Sequence, residues 1–146
     1  MNTREQIRVK QNKMQTSFIK ISLLVCLCCD VIILRALADI GTVKAYPSPY
    51  LPTRCRGSDE NQIPSDGYFA AVSEGLWDNG GACGRKYRIR CISGPSHPCK
   101  GEDIVVVVVD HCRGTSCPAT MALSIKAFKV LSRFTNVQIN VEYMQV

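Results

Sequence analysis

Leu76-Trp77-Asp78-Asn79-Gly80-Gly81-Ala82-Cys83-Gly84-Arg85-Lys86-Tyr87-Arg88-Ile89-Arg90-Cys91 is the stretch whose reading decides the fold. An Asn-Gly-Gly turn runs straight into a cysteine. A turn that tight wants backbone angles that side chains resist, which glycine supplies. After Gly84 the residues alternate: Tyr87, Ile89 and Cys91 on one side, Lys86, Arg88 and Arg90 on the other. A period of two predicts a strand with one buried and one wet face. A cysteine at each end predicts that the unit is tied down at both ends.

Working outward from it, the chain downstream repeats the theme. Gly94, Pro95, Pro98 and Gly101 make 93–101 a loop. Ile104 to Val109 is an unbroken β-branched run, which predicts a central strand covered on both faces. Ser124 is a natural N-cap, and Ile125, Phe128 and Leu131 follow at three-residue spacing, the pattern of the one helix expected. Val137, Ile139, Val141 and Tyr143 then alternate with Gln138, Asn140 and Glu142, a last half-buried strand.

Upstream, Tyr68 to Val72 reads as a short buried strand, and Asp39 to Ala45 as another. Between them Pro47, Pro49 and Pro52 rule out regular structure and predict a surface loop held by Cys55. Five or six short strands and one helix make a small, mainly β domain. Closure into a barrel would remove its exposed strand edges.

The first 38 residues differ in kind. Arg4, Arg8, Lys10, Lys13 and Lys20 stand against Glu5, and an apolar run from Ile21 to Ala38 ends in Ala36-Leu37-Ala38. That is the basic start, apolar middle and small-residue site of a secretory signal, with cleavage before Asp39. Initiation at Met14 would give a signal of more usual length. A membrane span would need about 20 apolar residues, and Asp30 would be costly in its middle.

Of 18 basic and 12 acidic residues in the chain, this segment holds six and two. Residues 39–146 therefore carry 12 against 10, a net charge of +2 in place of +6. That balance gives no case for nucleic acid, and no membrane insertion is expected after cleavage. Six of the nine cysteines remain, since Cys26, Cys28 and Cys29 lie in the apolar run. In a short secreted domain they argue for three disulfides. Fifteen pairings are possible. Short spacing favours Cys91–Cys99 and Cys112–Cys117, which leaves Cys55–Cys83.

Motifs spread over nearly all of residues 39–146 carry a resemblance: Gly41-Thr42, Pro49-Tyr50, Leu76-Trp77-Asp78-Asn79-Gly80, Ala82-Cys83-Gly84-Arg85, His97-Pro98-Cys99, Val109-Asp110, Leu123-Ser124 and Ile139-Asn140-Val141. In this order they are similar to the EG45-like domain, or plant natriuretic peptide-like, proteins. These are relatives of the first domain of expansins, of barwin and of family 45 endoglucanases. The resemblance implies a six-stranded double-psi β-barrel in an apoplastic, monomeric protein without cofactor. It implies signalling in water and ion balance through a cell-surface receptor; the alternative is a module binding cell-wall polysaccharide without hydrolysis. The chain departs from the family in two places. Lys44 and Ala45 fall where a threonine and aromatic residues are common, and Ala122 stands where expansins and the endoglucanases have an aspartate before Leu-Ser.

Glycoside hydrolysis generally needs two carboxyl groups flanking the scissile bond. Asp110, at the end of the valine run, would supply one. Ala122 supplies none, so no catalytic residue is assigned. Asp66 and Asp78 lie in turns, where aspartate usually bonds its own backbone. Zinc on His111, Cys112 and Cys117 would need reduced thiols, and no metal site is expected. Tyr46 and Tyr50, beside prolines, are the rings best placed to stack on sugar, whereas Trp77 next to its turn is better suited to packing. The candidate groove set is Lys44, Tyr46, Tyr50, Trp77, Asp78 and Asp110. Lys86, Arg88 and Arg90 form a basic strand face, solvated or facing an acidic partner.

Overall fold

The computed structural model describes residues 38–112, 117 and 119–146, together with Lys10 and Gln15. Apart from Lys10, Gln15 and Ala38, the targeting segment read over residues 1–38 lies outside the described residues, Met14, Cys26, Cys28 and Cys29 included. Among the described residues no helix is long and apolar enough to cross a membrane.

Six strands close a barrel: β1 (Asp39–Tyr46), β2 (Phe69–Val72), β3 (Lys86–Ser93), β4 (Asp103–His111), β5 (Met121–Ser124) and β6 (Ile139–Gln145). Around the barrel the order is β1-β5-β2-β4-β3-β6. The pairs β1·β5 and β2·β4 are parallel, and the other four are antiparallel. With every strand paired on both sides, no edge is open to another chain. The interior holds Val43, Val72, Ile89, Val106, Met121, Leu123, Ile139 and Val141, none exposed at all. Each such side chain contributes about 1.5–3 kcal/mol relative to an exposed position.

The alternation in β3 is as the sequence predicts, with Tyr87, Ile89 and Cys91 buried and the three basic residues exposed. The reading of β4 needs correction. Ile104, Val106 and Val108 point inward, but Val105 is 38% exposed and Val107 half-buried. A barrel has one interior, so an unbroken β-branched run marks the strand without implying that both faces are covered. Two short elements went unread. β5 is four residues whose place is set by its partners β1 and β2, and a one-turn helix α1 (Glu74–Trp77) precedes the Asn-Gly-Gly turn. Over the described part of residues 38–146 the expectation of a single helix is thereby replaced by two α-helices, with 3-10 turns at Glu60–Gln62 and Asp78–Gly80.

In the second helix, α2 (Ile125–Leu131), the Ser124 hydroxyl accepts from the Ala127 N–H while donating to the Gly67 carbonyl. It buries Ala127, Phe128 and Leu131 in the core cluster. The turn before β3 differs from its expected form. Asp78 and Asn79, not only glycine, take left-handed angles (φ 52° and 50°), which their short polar side chains tolerate; Gly80 follows at 98°. Gly81 is right-handed, with φ of −64°. It is glycine because a Cβ there would lie 2.8 Å from the Asp78 carboxylate.

Disulfides join Cys55 to Cys83, Cys91 to Cys99 and Cys112 to Cys117. The first ties the proline-rich loop to the turn before β3, the second closes the loop after β3, and the third follows β4.

Candidate functional site

Strand pairing builds the site from residues far apart in the chain. Paired residues on adjacent strands share a face of the sheet, and Val43, Met121 and Leu123 all point inward. Their neighbours therefore point out. The register sets Lys44 beside Ala122, Ala122 beside Ala71, and Ala71 beside Asp110. These four form one transverse row across β1, β5, β2 and β4 on the outside of the barrel.

The last member owes its place to a bulge. Ala70 pairs with Val108 and Ala71 with Asp110, so Val109 is an extra residue in β4. Such an insertion re-aims the side chains beyond it. Asp110 is thus turned outward while His111 is buried. One carboxylate oxygen of Asp110 accepts two N–H bonds, from Arg54 at 2.7 Å and from His111 at 2.8 Å. This fixes the proline-rich loop against the end of β4.

The row has a floor of two methyl groups, Ala122 and Ala71, which are 7% and 4% exposed. Beside it stands an aromatic wall. The Tyr46 ring meets Tyr50 edge-on at 5.1 Å between centroids, and Tyr50 meets Phe69 the same way at 4.8 Å. The Tyr50 hydroxyl accepts from the Ile125 N–H at 3.3 Å, linking the wall to the start of α2. Tyr46 is different: its hydroxyl oxygen is buried without a hydrogen-bond partner among the described residues. Burial pushes its phenol well above the ordinary tyrosine value, with the Asp110 carboxylate and Tyr50 adding to the effect. On the side of the row away from Tyr46, Thr42 and Thr120 exchange hydrogen bonds between backbone N–H and hydroxyl groups.

Of the six candidates from sequence, Lys44, Tyr46, Tyr50 and Asp110 come together here. Trp77 and Asp78 do not join the row. Trp77 stacks flat on His111, with centroids 4.5 Å apart and planes 2° from parallel. His111 Nε2 lies 2.9 Å from the Glu74 carboxylate. Asp78 pairs with Arg85 within its own turn. Phe69, Ala71 and Arg54 were not anticipated, because their roles depend on cross-strand register and on a backbone N–H. Surface cavities of about 190, 380 and 280 Å³ are lined by none of the four row residues.

These features define a class: a six-stranded double-psi β-barrel with an outward-facing row of residues, here called the trough, across one side. A protein-family profile described as "Lytic transglycolase" matches residues 69–143. An EG45-like domain containing protein of Citrus jambhiri is 33% identical over 114 residues, covering 75% of this chain and 83% of that protein. The chain belongs to the family of EG45-like domain proteins.

Two solved structures share the fold. An expansin of Clavibacter michiganensis in complex with cellohexaose superposes with a TM-score of 0.58 at 24% identity over 75% of this chain. This chain spans 50% of that expansin's length. A GH45 endoglucanase in complex with cellobiose superposes with a TM-score of 0.52 at 16% identity, covering 75% of this chain and 81% of the endoglucanase.

Proposed function

We propose that the protein is an extracellular module that binds cell-wall polysaccharide along the trough and does not hydrolyse it. The observation that carries this reading is the row itself. It brings a cation, two methyl groups and one carboxylate into line beside an aromatic wall. A chain of sugars presents apolar ring faces and a periodic set of hydroxyls, which suits tyrosine edges and scattered polar groups. Two fold relatives solved with cello-oligosaccharides lend support, and favour this account over receptor-mediated signalling. Three disulfides suit an oxidising, extracellular compartment. Hydrolysis would need a second carboxyl group facing Asp110 across the sugar, and the neighbouring positions of the row are Ala71, Ala122 and Lys44.

The test is retention of the oxidised protein on insoluble cellulose and matrix polysaccharides, with assay of the supernatant for released sugar. Retention should fall at least about fivefold with Tyr46→Ala, the scale of one lost ring contact, and sugar release should stay at background. Failure to bind any polysaccharide would overturn the binding half. Release abolished by Asp110→Asn would overturn the non-hydrolytic half.

A further inference from the structure

We infer that Lys44 makes the trough selective for acidic polysaccharide, chains whose sugars carry carboxylates, over neutral glucans. The inference rests on the trough-binding reading above and names its ligand class. Lys44 projects outward from a strand, half-buried, beside the recessed methyl of Ala122. Among the described residues no carboxylate lies within 4 Å of its ammonium, unlike the ion-paired Arg56, Arg85 and Arg88. The other charge on the row, Asp110, sits three strand spacings away, about 14 Å along the sheet. One of its oxygens is already engaged by the N–H groups of Arg54 and His111.

Arg54 adds to the argument. Its backbone is anchored on Asp110, while its exposed side chain makes no ion pair among the described residues. Among the described residues the trough thus carries Lys44 with no carboxylate within 4 Å, a single carboxylate, Asp110, and the Arg54 backbone beside it. Glu74, the acidic residue on α1, is turned to His111 instead. A half-buried ammonium loses part of its hydration when a polymer lies across it. A sugar hydroxyl repays that loss poorly, whereas a carboxylate forms a charge-assisted hydrogen bond of about twice the strength.

The experiment compares polygalacturonate, the same polymer with its carboxylates methyl-esterified, and cellohexaose, as ligands of the full-length oxidised protein. Esterification removes the charge and leaves the backbone. The wild type should bind the free acid about fivefold more tightly than the ester, the worth of one partly exposed charge pair. That preference should shrink as salt is raised. Lys44→Gln should bring the ratio of the two affinities close to one, and Lys44→Arg should restore it. Arg88→Gln, on the opposite side of the barrel, should leave the ratio unchanged.

Equal binding of acid and ester by the wild type would overturn the proposal, as would an unchanged ratio in Lys44→Gln. A ratio lost with Arg88→Gln but kept in Lys44→Gln would overturn it too, by moving the acidic ligand to β3. If all three ligands bind equally and Tyr46→Ala weakens them all, the polysaccharide reading stands and only the selectivity fails. Binding to none of them sinks both.

Discussion

Two faces of one barrel treat their charges in opposite ways. On the side made by β3, β6 and the start of β4, two of the three cations have a carboxylate on an adjacent strand, Lys86 being the exception. Arg88 pairs with Asp103 at 3.8 Å, and Arg90 is flanked by Asp103 on one strand and Glu142 on the other. Even Asn140 is satisfied, donating to the Ser93 hydroxyl at 2.8 Å. On the side made by β1, β5, β2 and β4, among the described residues, Lys44 has no carboxylate within 4 Å and the Tyr46 hydroxyl is buried without a bond. Unmet polar groups are costly in a folded protein. The accessible one, Lys44, marks where a ligand would complete the bonding.

The contrast can be broken most forcefully at the loop that supports the trough. Replacing Cys55 and Cys83 with alanine frees a closed segment with a sequence separation of 28. Loop-closure entropy puts the cost at about 3–4 kcal/mol, read as a lower denaturation midpoint. Polysaccharide retention at temperatures where the variant is still folded should also fall, because the Arg54 N–H is released from Asp110. A variant that keeps full retention would show that the proline-rich loop is not part of the trough.

Tyr46 tests the same face with a smaller effect. Tyr46→Phe removes an unbonded buried hydroxyl, so stability should rise by about 1 kcal/mol, while polysaccharide retention, which depends on the ring and not on the inaccessible hydroxyl, should hold. The pH dependence follows from the raised phenol value. Below about pH 10 both the folded and unfolded chains hold the proton, and the contribution of Tyr46 is fully present. Above it the unfolded chain ionises first, so stability falls by up to about 1.4 kcal/mol per pH unit. Tyr46→Phe should flatten that alkaline decline. An unaltered decline in the variant would move its source elsewhere, with Tyr143, also raised by burial, Asp39 and Tyr87, next to be tested.

The smallest effect belongs to the opposite face. Arg88 and Asp103 are both more than half exposed. Arg88→Ala should change stability by less than about 0.5 kcal/mol and leave polysaccharide retention as it was. A marked loss of retention would reverse the ranking of the two faces.

The legibility of the chain in its sequence tracks how local each feature is. β3 is readable because its alternation records one buried face, and α2 because Ser124 caps an apolar stripe within a few residues. β5 leaves almost no local trace. Met121 to Ser124 are all buried, with no alternation, and they form a strand because residues 43–46 and 70–72 lie on either side. The site shows the same divide. Lys44, Tyr46, Tyr50 and Asp110 were individually suspect as charges or rings near prolines and a strand end. Their assembly into a row, with Ala71 and Ala122 as floor, depends on register between four strands and had no signal in any one of them. Trp77 and Asp78 looked equally promising but find their partners, His111 and Arg85, elsewhere.

The extra residue in β4 bears on how the chain can change length. In a regular strand Ile104, Val106 and Val108 would be followed inward by residue 110, and a carboxylate would be driven into the apolar interior. The run of valines is one residue too long for that parity, and the bulge at Val109 absorbs the excess. Deleting a residue from a strand ordinarily exchanges inside for outside in everything that follows. Here the loss of Val109 alone would turn a bulged strand into a straight one and still present Asp110 outward. The valine run is therefore a place in this barrel where a codon could be lost without inverting the faces of the residues beyond it.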